Sequence, residues 1–296
     1  MLKYLLTGLL CLTMGGAIAA SAGEASDLTA EQLVASLHPQ QGRITLPGKI
    51  ATLDLPPTFR YLTPEDASHL LEAWGNPPDP RTLGMIVPAG VDPLAEEGWG
   101  VVVSYDKDGH VKDGDADSID YTKLLKEMQE NTAEANEERK KQGYSTMTLV
   151  GWAETPHYDK ASHKLYWAKD YQDEDEKHHS LNYDIRVLGR EGVLVLGAVA
   201  TMSQLASVKT EMQKVTAFTN FTEGNRYTDF NEKTDKVAEY GIAALVAGGV
   251  AAKLGLFGKL LALLVAFKKI IVVGFAAVGS AIFKFFKRKP KVDLSK

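Results

Sequence analysis

The stretch that most constrains this chain is residues 241–291, GIAALVAGGVAAKLGLFGKLLALLVAFKKIIVVGFAAVGSAIFKFFKRKPK. It is strongly apolar, yet Lys253, Lys259, Lys268 and Lys269 interrupt it. Its longest runs without charge, 241–252, 260–267 and 270–283, all fall short of the ~18–20 apolar residues of an ordinary transmembrane helix. A lysine at mid-bilayer costs about 2.5–3.5 kcal/mol on insertion scales, which disfavours a crossing centred on Lys268 and Lys269. Residues 270–286 do better, because lysines at both ends can snorkel to the two interfaces. At ~1.5 Å per residue that helix is roughly 25 Å long, short but tolerable. The preceding piece, 241–267, reads as a second span or as a helix lying in the interface.

The other end of the chain carries an export pattern. Lys3 supplies a positive n-region, a charge-free apolar run follows from Leu5 to Met14, and small residues come next. Ala-x-Ala sites end at Ala19 and Ala22, so residues 1–22 read as a signal peptide. The only cysteine, Cys11, falls inside it; the mature chain then has no disulfide, thiol nucleophile or cysteine metal ligand.

Charge divides along the chain. Residues 23–236 hold 22 Lys and Arg against 36 Asp and Glu; residues 237–296 hold 10 against 2. An acidic body argues against nucleic acid as a partner, since phosphate binding needs a basic face. The basic tail matches a cytoplasmic flank. The expected arrangement is an extracytoplasmic domain at 23–236, a membrane anchor at 237–288 and a basic cytoplasmic tail at 289–296. One crossing is favoured over a hairpin, because a hairpin returns the tail to the outside.

The body predicts an α+β domain, with an antiparallel meander covered by helices. Thr29 and Gln32 have capping-box spacing ahead of a short helix. Two strand-like runs flank Pro47-Gly48. Thr63 and Pro64 open a helix that Gly75 closes. LGMIVP and WGVVVSY read as strands. Asp117 is the expected cap of a long helix whose buried face is Tyr121, Leu124, Leu125, Met128, Thr132 and Ala135, with Gly143 as its stop. Four further strands follow, in YSTMTLVGWAE, HKLYWAKDY, LNYDIRVLGR and GVLVLGAVATM, joined by short loops. The last helix of the body presents Leu205, Val208, Met212 and Val215 on one face.

Candidate chemistry is sparse. The stretch SYDKDGHVKDGDADSID places Asp106, Asp108, Asp113 and Asp115 close together, as a calcium loop does. On EF-hand spacing the first ligand is Ser104 and the last is Asp115 rather than Glu, so the match fails at both ends. The bland reading is an Asp108-Gly109 hairpin turn followed by a helix cap. His157, Asp159 and His163 flank one turn, and His178-His179 lie in the next loop; zinc needs those loops to meet. Trp74, Trp99, Trp152 and Trp167, with Tyr158, Tyr166, Tyr171 and Tyr183, supply core or a pocket. No Gly-x-Ser-x-Gly and no phosphate loop occurs, and no cofactor is implied.

The ordered motifs LPGKIATLDLPPTFRYL, WGNPP, DGHVKDGDADSIDYTKLL, GWAETPHYDKASHKLYWA, LNYDIRVLGREGVL and TDKVAEYGIAALVAG run from Leu46 to Gly248, within a resemblance that covers about residues 40–285. Together they resemble a family of uncharacterised bacterial membrane-anchored proteins. The resemblance implies an inner-membrane protein whose main domain is periplasmic, and it implies no activity. The expected function is a non-enzymatic binding or assembly module, in contact with the lipid bilayer and with an envelope protein as a further partner. A ligand-sensing domain with an aromatic pocket and a metal-dependent hydrolase are the alternatives.

Overall fold

The computed structural model describes residues 29–76, 79–141, 145–174 and 178–248. The expected signal peptide, the apolar segment after Gly248, the basic tail, the predicted stop at Gly143 and the acidic loop at 175–177 lie outside the described residues. Among the described residues no helix is long and apolar enough to cross a membrane.

Local sequence chemistry explains most element ends. Helix α1 (Ala30–Ser36) starts at Thr29, and Thr29 and Gln32 exchange the two capping-box hydrogen bonds. Strands β1 (Gly42–Thr45) and β2 (Ala51–Leu55) pair antiparallel, with Gly48 at φ 75° between them. Strand β3 (Phe59–Leu62) leads to α2 (Pro64–Ala73), capped by Thr63 with Pro64 in its first turn. Strands β4 (Thr82–Pro88) and β5 (Gly100–Asp106) follow, then α3 (Tyr121–Lys141). The cap of α3 is Asp120 rather than the expected Asp117: its Oδ1 accepts from the amides of Thr122 and Lys123 at 3.0 Å. Asp117 lies in a 3-10 turn one step earlier. The predicted α3 face holds at Leu124 and Met128 and fails at Ala135, which is exposed. Its neighbour Asn136 turns in instead, and its amide both accepts from and donates to the backbone of Met147.

The meander is β6 (Met147–Asp159), β7 (Lys164–Asp173), β8 (His179–Leu188) and β9 (Val193–Thr201). Helix α4 (Leu205–Phe218), β10 (Thr219–Phe221) and α5 (Ile242–Val246) complete the described chain. Seven strands form one antiparallel sheet in the order β3-β4-β5-β9-β8-β7-β6; β1, β2 and β10 form a second. The fold is therefore mixed α+β with antiparallel sheets and helices.

Period-two alternation splits the large sheet into two apolar faces. One face, with Val101, Val103, Ile185, Leu194 and Leu196, packs under α4 and the small sheet. The opposite face carries two separate clusters. Helix α2 covers Met85, Val87, Val102 and Val199 through Leu70, Leu71 and Trp74. Helices α3 and α5 cover Leu149, Leu165 and Trp167 through Leu124, Met128, Ile242, Leu245 and Val246.

Two expectations change here. Asp108-Gly109 is not a hairpin turn, because β5 pairs with β4 and β9 and not with the segment that follows Gly109, and His110 bridges to Val237 instead. Gly109 has φ 110°, and a Cβ there meets the Lys236 carbonyl at 2.7 Å, so only glycine fits. Residues 237–248, read from sequence as the start of the anchor, pack into the α3 cluster, with Ala238, Ile242, Leu245 and Val246 buried.

Candidate functional site

The candidate residues separate in space, because other groups engage most of them. Asp106 Oδ1 accepts from Arg81 Nη1 at 3.2 Å. Asp108 accepts from the Tyr240 hydroxyl at 2.8 Å. Asp115 accepts the amides of Ile242 and Ala243 at 3.0 and 3.2 Å, holding the start of α5. Asp159 accepts from the Ala161 amide at 2.9 Å and the Ser162 hydroxyl at 2.6 Å. His157 is exposed on β6, which runs through Asp159 instead of stopping before the turn. Only Asp113 and His163 meet, with Oδ2 3.9 Å from Nδ1. Among the described residues, no three His, Cys, Asp or Glu side chains are placed to hold a metal ion.

The Asp113–His163 pair belongs to a larger arrangement. The Tyr158 hydroxyl donates to Asp113 Oδ2 at 2.9 Å and lies 3.3 Å from His163 Nδ1. A phenol has one proton to give, and a carboxylate can only accept it. The Tyr158 oxygen must therefore accept from His163, which puts the imidazole proton on Nδ1 and leaves Nε2 for other partners. Burial, with Asp113 close by, pushes the Tyr158 hydroxyl far above the ordinary tyrosine range, so it keeps its proton at physiological pH.

Four rings form one stack. His163 lies on Tyr227 at 4.0 Å, Tyr227 on His110 at 4.2 Å, and His110 on Phe230 at 3.9 Å. The Tyr227 hydroxyl donates to the Val111 carbonyl at 3.1 Å, and burial and Asp113 raise its pKa to about 12. Sequence reasoning missed Tyr227, Phe230 and His110. They lie in irregular segments, where no periodicity marks a buried ring; TEGNRYTDF shows only turn residues with two aromatics.

Beside the stack opens a cleft of about 470 Å³. The β6–β7 turn supplies Ser162, His163 and Lys164; the end of β8 supplies Val187 and Leu188. The opposite wall is Thr219 to Phe221 and Arg226 to Thr228. Its backbone is tied across by a Gly189–Arg226 bridge. The Ser162 hydroxyl donates to Asp159 Oδ2 at 2.6 Å, and no hydrogen bond joins it to His163 among the described residues. A flatter hollow of about 620 Å³ near Asp54, Lys214 and Phe218 has no comparable network.

His110 is 6 % exposed, and its Nδ1 has no partner among the described residues. Burial lowers its pKa, against the carbonyls of Gly189 and Arg190 and the charge of Asp113, which pull it up. The unfolded chain then takes up a proton at higher pH than the folded one. Stability is lost as pH falls from the ordinary histidine value, ~6.5, toward the lower folded one. His110→Phe keeps the stack and removes that proton. Urea unfolding at neutral and mildly acidic pH should show a flatter pH dependence in the variant; an unchanged slope would place the acid sensitivity elsewhere.

A second polar cluster lies mid-sheet, on the face shared by α2 and α3. Arg186 Nη1 donates to Asp184 Oδ1 at 3.1 Å and its guanidinium stacks on Trp167 at 4.8 Å. Lys169 approaches Asp184 Oδ2 at 3.1 Å as a charge partner, without an aligned hydrogen bond. Burial pushes the Asp184 carboxyl up, but the two cations outweigh it and hold its pKa below the usual range. Trp167 Nε1 and Asn182 Oδ1 beside it have no partner among the described residues.

These features define an α+β domain with a ligand-sized cleft at one end of its meander and no evident catalytic set among the described residues. The chain belongs to the family described as "Protein of unknown function (DUF2167)", whose pattern matches residues 38–279. The expected resemblance to an uncharacterised family thus holds. No curated protein matches the chain. Among solved structures it is similar to cyanobacterial PsbP (CyanoP) of Synechocystis sp. PCC 6803, at 12% identity and a TM-score of 0.34, over 69% of this chain and 99% of that one. It is also similar to the Saccharomyces cerevisiae Ran-binding protein Mog1p, at 12% identity and a TM-score of 0.31, over 66% of this chain and 100% of that one.

Proposed function

We propose that this chain is a non-enzymatic ligand-binding module of the bacterial envelope. The signal-like residues 1–22 export it, and the apolar segment after Gly248 holds it at the inner membrane with the α+β domain in the periplasm. The observation that carries the binding reading is the cleft beside His163. One ring face is fixed by Tyr227 and Nδ1 by Tyr158, so the remaining nitrogen is pre-oriented, and no hydrogen bond joins the Ser162 hydroxyl to the ring among the described residues. Pre-orientation of this kind lowers the entropy cost of binding. The sequence features that support the location are the Ala-x-Ala sites and the split between an acidic body and a basic tail.

A protein partner is the second reading, favoured by β6. This 13-residue edge strand is covered by α3 only over its first half, through Asn136, Gln129 and the Tyr121 carbonyl. Its second half has no further strand beside it among the described residues, and Pro156 and the register shifts at Trp152/Glu154 and Glu154/His157 confine strand addition to its last residues.

Two measurements test the proposal. A reporter active only outside the cytoplasm should work when fused after Gly248 and fail after Lys296; silence at both sites would end the envelope reading. NMR of the His163 and Tyr227 ring signals during a screen of small molecules of every charge should reveal ligands. Signals that no compound moves would end the binding reading.

A further inference from the structure

We infer that the His163–Arg226 cleft is an oxyanion site, taking a small ligand that bears a phosphate or carboxylate group on a short apolar body. The inference rests on the cleft being a binding site and names its ligand class. Charge segregation is the first support. Acids outnumber bases 36 to 22 over residues 23–236, yet the charged residues of the cleft lining are Lys164 and Arg226, with no Asp or Glu. A lining drawn blindly from this domain would hold more carboxylates than cations.

The second support is a contrast between two arginines on facing segments. Arg190 is saturated by Asp235, which accepts from Nε at 2.7 Å and Nη2 at 2.9 Å. Arg226 is exposed at the cleft wall and has no ion pair among the described residues. A guanidinium left open presents a planar fork that matches phosphate or carboxylate oxygens two at a time. His163 keeps Nε2 as an acceptor, since Tyr158 takes Nδ1–H, so it suits a hydroxyl of the ligand body rather than the anion's oxygens. Thr228 adds a hydroxyl, while Val187 and Phe221 give the apolar body a surface.

Two sources share this chemistry: a soluble phosphorylated or carboxylated compound, and the headgroup of an anionic phospholipid. The segment that bears Arg226 continues to Gly248, where the apolar stretch begins. The test uses the full-length chain in nanodiscs of phosphatidylcholine, with the His163 and Tyr227 ring signals as readout. Inorganic phosphate and acetate are titrated in one arm. In the other, phosphatidylglycerol replaces half of the lipid. Movement of the signals in either arm, weakened about tenfold or more by Arg226→Gln, supports the site, and the responding arm identifies the source. Arg226 is exposed, so the variant should unfold at the wild-type midpoint, which excludes misfolding as the cause. Signals that ignore both arms, or binding that Arg226→Gln leaves unchanged, overturn the oxyanion class. If neutral compounds still move the signals, the binding reading survives that failure; if nothing does, both fall.

Discussion

A fragment of residues 23–236 should fail to hold its fold, whereas one of residues 23–248 should be stable. The sequence places the end of the body at Lys236, before the apolar stretch begins. In the structure the next residues complete a core. Ile242, Leu245 and Val246 are 0, 3 and 1% exposed and pack against Leu124, Met128 and Trp167. Burying each contributes about 1.5–3 kcal/mol, so their loss costs roughly 5–9 kcal/mol, an upper estimate because a denatured chain is not fully extended. A domain has only about 5–15 kcal/mol to lose. Removing the segment also strips Asp115 of the two amides it caps and His110 of its bridge to Val237. Urea denaturation of the two fragments, followed by tryptophan fluorescence, decides the matter. Equal midpoints would show that α5 contributes nothing.

Asp184→Ala should cost about 3–5 kcal/mol, since it leaves Lys169 and Arg186 facing each other without their shared counter-ion in a buried sheet face. Both cations are mostly buried, with side chains 12 and 14% exposed, so water compensates little. Replacing Asp184, Lys169 and Arg186 together by apolar residues of similar volume should recover most of the loss, because it removes the uncompensated charges along with the pair. Acid should act in the same direction. The folded pKa of Asp184 is depressed, so its contribution is complete above the ordinary aspartate value and fades as pH falls below it. A single variant within about 1 kcal/mol of wild type would mean that the cluster is more hydrated than its burial implies.

The elements that were legible in sequence are those set by local chemistry. The Thr29–Gln32 box, the Thr63-Pro64 start and the alternation of β7, β8 and β9 each need only neighbours a few residues away. Strand β3 and strand β10 were not visible, being four and three residues long, and β10 pairs with the distant β2. The 241–248 segment misled for a different reason. An apolar helix that closes a protein core and one that enters lipid have the same composition over two turns, and only the position of α3 separates them. The site was half legible. Asp113, Tyr158 and His163 drew notice as types, but their union depends on β6 running on to Asp159 and on a His163 backbone at φ 53°. Of the rings that complete the stack, Tyr227 and Phe230 come from a segment more than sixty residues after His163 and His110 from more than fifty before it, which no local spacing announces.

The closure of the α3 core by α5 also sets an order of events during synthesis. Met128 waits for Val246, and β2 waits for β10, so neither core can close until almost the whole described domain has been made. At least 48 residues of chain follow Gly248. At ~5–20 residues per second their synthesis lasts about 2–10 s, a long interval beside the folding times of most small domains. Synthesis of the stretch after Gly248 then acts as a delay. It keeps the nascent domain tethered while its last helix finds its place.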